Sequence, residues 1–145
     1  MNTTLLGNIG ESRVLHELVK FGIQCYLPYG DGSAVDLIAD FNGKLNKIQI
    51  KTTEKLSKVK AMEWRITRQD GYHGNRVKYE FGTIDYFALY CLETDTVCLI
   101  PFSDTTSKFT ISIRPDDYKG VRRNNMRFAS DYSVEKIIRS RSSVG

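Results

Sequence analysis

The spacing of apolar residues changes several times along this chain, and each change predicts an element. From Thr4 to Phe21 the spacing is helical, with Thr3 or Thr4 as N-cap and Gly22 as the stop. Gly7, Glu11, Val14 and Leu18 fall at i, i+4, i+7 and i+11, so this helix turns Glu11 toward its apolar side and His16 away from it. Gly7 and Gly10 each weaken a helix by roughly 1 kcal/mol relative to alanine, which makes sense where another backbone or side chain must come close. Ile23 to Leu27 reads as a short strand, and the loop Pro28-Tyr29-Gly30-Asp31-Gly32 follows, with Asp31 as a turn former. Ser33 to Lys51 then reads as a hairpin about Asn42-Gly43, a pair suited to the positive φ angles of a type I′ turn.

Beyond Lys51 the polar run Thr52 to Lys60 is too charged for a core. Ala61 to Arg68 and Arg76 to Phe81 predict a ribbon of two strands around QDGYHGN, with Arg65 and Thr67 alternating with Trp64, Ile66 and Arg68. Thr83 to Leu92 and Val97 to Pro101 form a second hairpin, and the nearly continuous apolar run DYFALYCL marks its first strand as buried on both faces, at the centre of the sheet. Ser103-Asp104 starts a short helix, Phe109 to Ile113 is one more strand ended by Pro115, and Ser133 caps a last helix to Arg139.

A chain of 145 residues suits one domain, 1–145, with a substantial core. Its net charge of +4 favours an anionic partner, and the placement of the cations says more than their sum. Lys51, Lys55, Lys58, Lys60, Arg65, Arg68, Arg76 and Lys78 crowd the middle, while Lys119, Arg122, Arg123 and Arg127 form a second cluster without an interleaved acid. Cys25, Cys91 and Cys98 show no metal-binding spacing and read as reduced, mostly buried thiols. No segment approaches a membrane span and the N-terminal residues lack a signal-peptide pattern, so no membrane partner and a cytoplasmic location are expected.

The chemistry concentrates in the first hairpin. A two-residue turn sets Phe41 opposite Lys44, Leu37 opposite Ile48, Asp36 opposite Gln49 and Val35 opposite Ile50. Val35, Leu37, Ile48 and Ile50 then share one face while Asp36, Gln49 and Lys51 gather on the other. Ile38 shares the face of Asp36, so that face is covered, and a covered carboxylate needs a partner or a metal. Glu11 supplies a second acid aimed at the same patch. His73 has no second histidine at ligand spacing, which favours a surface or phosphate-contacting role.

A helix with an inward Glu, followed by a hairpin with Asp on one strand and Gln-x-Lys on the next, resembles the PD-(D/E)xK nucleases. The matching pieces are Gly7-Asn8-Ile9-Gly10-Glu11, Val35-Asp36 and Gln49-Ile50-Lys51. Within that superfamily the chain is most similar to the small bacterial homing endonucleases encoded in group I introns, in length and in the run IQIKTT at Ile48 to Thr53. The resemblance implies an α/β fold with a restriction-endonuclease-like mixed sheet flanked by helices, to which the ribbon is added. It makes Asp36 the principal metal carboxylate, Glu11 the second acid, Gln49 the occupant of the variable acidic position and Lys51 the motif lysine. Val35 departs from the family's proline and Gln49 from its acid. An amide carbonyl is still an oxygen ligand, and magnesium needs only one or two carboxylates.

The implied activity is magnesium-dependent hydrolysis of double-stranded DNA at a specific site. One site cuts one strand, so a double-strand break asks for a homo-oligomer, a dimer or a tetramer. Lys55, Lys58, Lys60, Arg65, Thr67, Arg68, His73, Arg76 and Lys78 are candidates for DNA contact, this segment more for reading bases since a two-stranded ribbon fits the major groove, and Arg122, Arg123 and Arg127 more for holding phosphates. The alternatives are a structure-selective nuclease like the Holliday junction resolvases, or a non-catalytic DNA-binding module of the same fold, prompted by Gln49.

Overall fold

The computed structural model describes residues 1–69, 74–105 and 108–142; His73 lies outside the described residues. Helix α1, Thr3–Lys20, is capped by Asn2, whose side chain accepts from the Leu5 N–H at 2.9 Å, one position before the predicted cap. A five-stranded sheet follows the order β1-β2-β3-β7-β8. Its strands are β1 Cys25–Tyr26, β2 Leu37–Phe41, β3 Lys44–Thr53, β7 Tyr86–Cys91 and β8 Thr96–Pro101. The intervening strands β4 Met62–Arg65, β5 Thr67–Gln69 and β6 Arg76–Lys78, with β9 Thr110–Ile113, build two small sheets, β4-β9 and β5-β6. The chain closes with α2, Val134–Ser142, whose Lys136 N–H donates to Ser133 Oγ at 3.2 Å.

The first hairpin forms as its turn dictates. Asn42 and Gly43 both have positive φ, 56° and 91°, and Phe41 pairs with Lys44 and Leu37 with Ile48. β3 also pairs in parallel with β7, Ile48 facing Tyr86 and Thr53 facing Cys91, which makes the sheet mixed. β3 holds the centre of the sheet, and β7, predicted there, lies one place further out. It is buried along its whole length all the same, because both faces of the sheet are covered.

On one face α1 sets Val14 and Leu18 against Leu37, Ile48, Ile50, Tyr86 and Ala88. On the other, Met62, Trp64, Ile111 and Ile113 of the β4-β9 pair cover Phe87, Leu89 and Ile100. Val35 belongs to this second side, packing with the β4-β9 cluster rather than with Leu37, because β2 begins only at Leu37 and the chain bends into it.

Three contacts fix these layers. Arg13 Nε donates to Asp95 Oδ1 at 3.0 Å, and the same oxygen accepts from the Tyr90 hydroxyl at 2.8 Å, tying α1 to the β7-β8 turn. A Cβ built on Gly10 would overlap the Thr52 hydroxyl, so the missing side chain is what lets α1 lie against β3. Gly7, by contrast, faces open space, and the close approach predicted there is confined to Gly10. Trp64 Nε1 donates to the Tyr90 carbonyl at 2.9 Å in the buried layer. Trp64→Phe removes this hydrogen bond and leaves a small void in the buried layer, so a loss of roughly 1–3 kcal/mol is expected in denaturant unfolding.

The predicted strand Ala61 to Arg68 breaks at Ile66. Before it β4 pairs with β9, after it β5 pairs with β6, and the face pointing outward changes. Arg65 is exposed as expected, but Thr67 is only 1% exposed, against the prediction of an outward face. The cysteines are free, with Cys91 and Cys98 buried; they are not cross-strand partners, since Cys91 pairs with Thr96 and Cys98 with Leu89. Among the described residues no helix is long and apolar enough to cross a membrane.

Candidate active site

Asp36 stands immediately before β2, and its N–H donates to the Ile48 carbonyl at 2.8 Å, extending the hairpin pairing by one residue. Its side chain is half-buried. Oδ2 accepts from the Ile50 N–H at 2.8 Å and from the Gln49 side-chain amide at 2.8 Å. The amide nitrogen of Gln49, rather than the oxygen a metal ligand would offer, therefore faces Asp36; it also donates to the Ile50 carbonyl at 3.3 Å. Burial raises the Asp36 pKa from its ordinary value, opposed by the Ile50 hydrogen bond and the charge of Lys51.

Lys51, two residues on along β3, extends from the same face. Its Nζ donates to the Thr67 carbonyl at 3.1 Å and sits 5.1 Å from the centre of the Tyr79 ring. Burial lowers its pKa, the Arg76 charge lowers it further, and Asp36 opposes both. Arg76 is held by the same anchor: Nε donates to Thr67 Oγ1 at 2.9 Å and a terminal nitrogen to the Thr67 carbonyl at 3.1 Å. Thr67, predicted to read bases, instead supports Lys51 and Arg76 from inside the fold.

Glu11 completes the patch from α1. It is exposed, at the wall of an open groove of about 360 Å³ that Asp36, Asp31, Ser33 and Val35 also line. Its pKa is raised, first by loss of water at the seam between helix and sheet and then by the negative charge of Asp36. Two carboxylates of raised proton affinity in one groove are what a cation relieves. Among the described residues no cluster of three or more His, Cys, Asp or Glu side chains is placed to hold a metal, so a cation here would rest on Glu11, Asp36 and neutral oxygens. That donor set suits magnesium, which keeps several waters and takes one or two carboxylates.

Tyr79 was missed by the sequence reading. It is 7% exposed, packs edge-on against Phe87 with ring centres 5.5 Å apart, and has a raised pKa caused by burial and then by Asp36. Its only sequence signal was an aromatic at the end of a predicted ribbon strand, which did not say that the ribbon folds back over Lys51. Among the basic candidates Lys55, Lys58, Lys60, Arg65, Arg76, Lys78, Arg122 and Arg123 are exposed, and Arg68 and Arg127 are half-buried. Several also serve the fold: Arg122 donates to the Asp116 carbonyl at 2.9 Å and stacks on Phe128, while Arg127 donates to the Tyr132 hydroxyl at 3.2 Å.

Comparison with known proteins bears on the fold and the family. No curated protein matches the chain. Among solved structures it is similar to the bacterial homing endonuclease I-Ssp6803I, with a TM-score of 0.79 at 21% identity over 99% of this chain and 97% of that one, a likeness of fold. The family pattern described as PD-(D/E)XK endonuclease matches residues 1–135, a span that holds Glu11, Asp36, Gln49 and Lys51 together with every strand of the central sheet. This chain is a member of the PD-(D/E)XK endonuclease family.

Proposed function

We propose that the protein hydrolyses phosphodiester bonds of double-stranded DNA at a specific site, using magnesium, and makes double-strand breaks as a homo-oligomer. The observation that carries this reading is the convergence of Glu11, Asp36 and Lys51 at the end of the first hairpin opposite its turn, with the proton affinities of both acids raised and that of the lysine lowered. Such displacements mark groups held for chemistry more often than groups held for stability.

Asp36 and Glu11 would hold the ion, with Asp36 offering the oxygen that Ile50 and Gln49 do not occupy. Magnesium, when bound, polarises a phosphate and lowers the pKa of water. Gln49 keeps Asp36 aimed by its amide N–H, and joins the ligands through its oxygen only by turning the amide over. Lys51, held over Tyr79, is placed to donate to the attacking water or to the non-bridging oxygens as charge grows on them. Each subunit cuts one strand, so paired subunits serve the two strands of a duplex. The likeness of fold to I-Ssp6803I, a homing endonuclease, favours a homing-type target over a branched one.

Cleavage of a randomised duplex library in magnesium, with Asp36→Asn in parallel and a four-way junction as second substrate, tests this. Defined ends from the parent alone support it; cutting confined to the junction, or binding without cutting, overturns it. Metal binding should also depend on pH. Because both acid pKa values are raised, protons compete with magnesium at a higher pH than for ordinary carboxylates. Calorimetric titrations should show affinity falling on acidification before the ordinary carboxylate range is reached, with protons released on binding.

A further inference from the structure

The outward face of the β4-β9 pair carries a second charged depression, apart from the acidic groove. Antiparallel pairing sets Arg65 opposite Thr110 and Glu63 opposite Ser112, so these side chains face away from the core that Trp64 and Ile111 enter. Beside them lies a cavity of about 380 Å³ lined by Lys108, Thr110, Ser112, Arg114, Arg123 and Arg127 among others. Among the described residues no acid lines it, and Glu63 is the carboxylate that the pairing places on that face.

The four cations here form no ion pair among the described residues. Arg114 stacks 5.0 Å from the Tyr118 ring centre, and its Nε is buried without a hydrogen-bond partner. A buried donor left unsatisfied costs roughly 1–3 kcal/mol, and gathering cations without counter-charge adds to that cost. A bound anion supplies the missing counter-charge.

We propose that this cavity seats a backbone phosphate of the DNA duplex, with Arg114, Arg123 and Lys108 as charge partners and Thr110 and Ser112 as hydroxyl donors. The assignment rests on the nucleic-acid reading above and adds a site to it. Guanidinium groups match phosphate geometry, and hydroxyls donate to it without adding charge. A second copy of this chain is the poorer occupant, since a symmetric contact centred on these cations would set like charges against each other. A phosphate seat fixes the register of the duplex and carries no base information.

The test measures binding of a labelled mixed-sequence duplex across a salt series without divalent metal. Its variants are Arg123→Gln, Lys108→Gln and, as a control at the exposed hairpin tip, Lys44→Gln. Arg123 and Lys108 are exposed, so neither change threatens the core. Each pocket variant should weaken binding to all sequences alike and reduce the slope of log K against log salt by roughly 1, while the control leaves it unchanged. Parent binding with pocket variants indistinguishable from the control overturns the site and leaves the nuclease reading intact. Weakened binding accompanied by a changed sedimentation coefficient overturns it in favour of a contact between copies. A parent that binds no duplex even at low salt overturns both.

Discussion

Asp36→Asn will cut DNA at least about 1,000-fold more slowly than the parent and will be no less stable. The loss follows from removing the carboxylate proposed to carry the metal, and a factor of that size corresponds to about 4 kcal/mol of transition-state stabilisation. The stability half follows from the sign of its pKa shift. The folded-state pKa of Asp36 is raised, chiefly by burial, so the folded protein binds the proton more tightly than the unfolded chain does. Stability from this group is therefore complete below its unfolded pKa and falls as pH rises through the folded value. At neutral pH the ionised side chain is a cost, which asparagine removes while keeping an oxygen for the Ile50 N–H. Melting curves should show the Asp36→Asn variant at or above the parent at pH 7, with the difference closing in acid. A large fall in melting temperature would make Asp36 a structural residue and remove it from the chemistry.

Gly10→Ala is expected to have the second largest effect, at a position with no functional group. Alanine gains about 1 kcal/mol of helix propensity over glycine. Against this, its methyl would collide with the Thr52 hydroxyl and crowd the Thr52 Cβ, and overpacking of this kind costs about 1–3 kcal/mol. The collision should win, because β3 is held on both sides by β2 and β7 and cannot retreat. α1 must then tilt away, carrying Glu11 from Asp36. Gly10→Ala should therefore lose both stability and magnesium affinity, whereas Gly7→Ala, facing open space, should gain stability. Thr52→Ala should restore part of both losses in a double-mutant cycle, since it removes the hydroxyl but leaves its own Cβ. Unchanged metal affinity in Gly10→Ala would mean that Glu11 does not depend on this contact.

The core and the acidic patch were legible because their signals are local. Asn42-Gly43 sets the hairpin register by turn geometry alone, and the register places Asp36, Gln49 and Lys51. Helical spacing turned Glu11 toward the apolar side, whereas it is exposed at the wall of the groove and the buried acid of α1 is Glu17; the difference between Gly7 and Gly10 emerges only when the neighbour Thr52 is known. What stayed hidden depends on contacts distant in sequence. Arg65 and Thr67 alternate with Trp64, Ile66 and Arg68 without a break, so nothing marked Ile66 as the point where one small sheet gives way to another. That change turned Thr67 inward and brought Tyr79 over Lys51. The position of β7 was misjudged because apolar continuity reports burial on both faces, not rank within a sheet. Around β9, Arg123 and Arg127 were legible as a basic cluster, but their neighbours were not: Thr110, Ser112 and Arg114 look ordinary until pairing with β4 shows which way this segment faces.

The parallel pairing of β3 with β7 also sets when the site comes into being. Glu11, Asp36, Gln49 and Lys51 all leave the ribosome early, on a helix and a hairpin within the first 53 residues. β3 nonetheless finds its second neighbour only after the chain has reached Tyr86 to Cys91, and Lys51 finds its anchor only with Thr67 and Tyr79. A two-stranded hairpin alone is marginal in water. On the proposed reading, the growing chain thus carries its candidate catalytic groups before the frame that holds them together is complete.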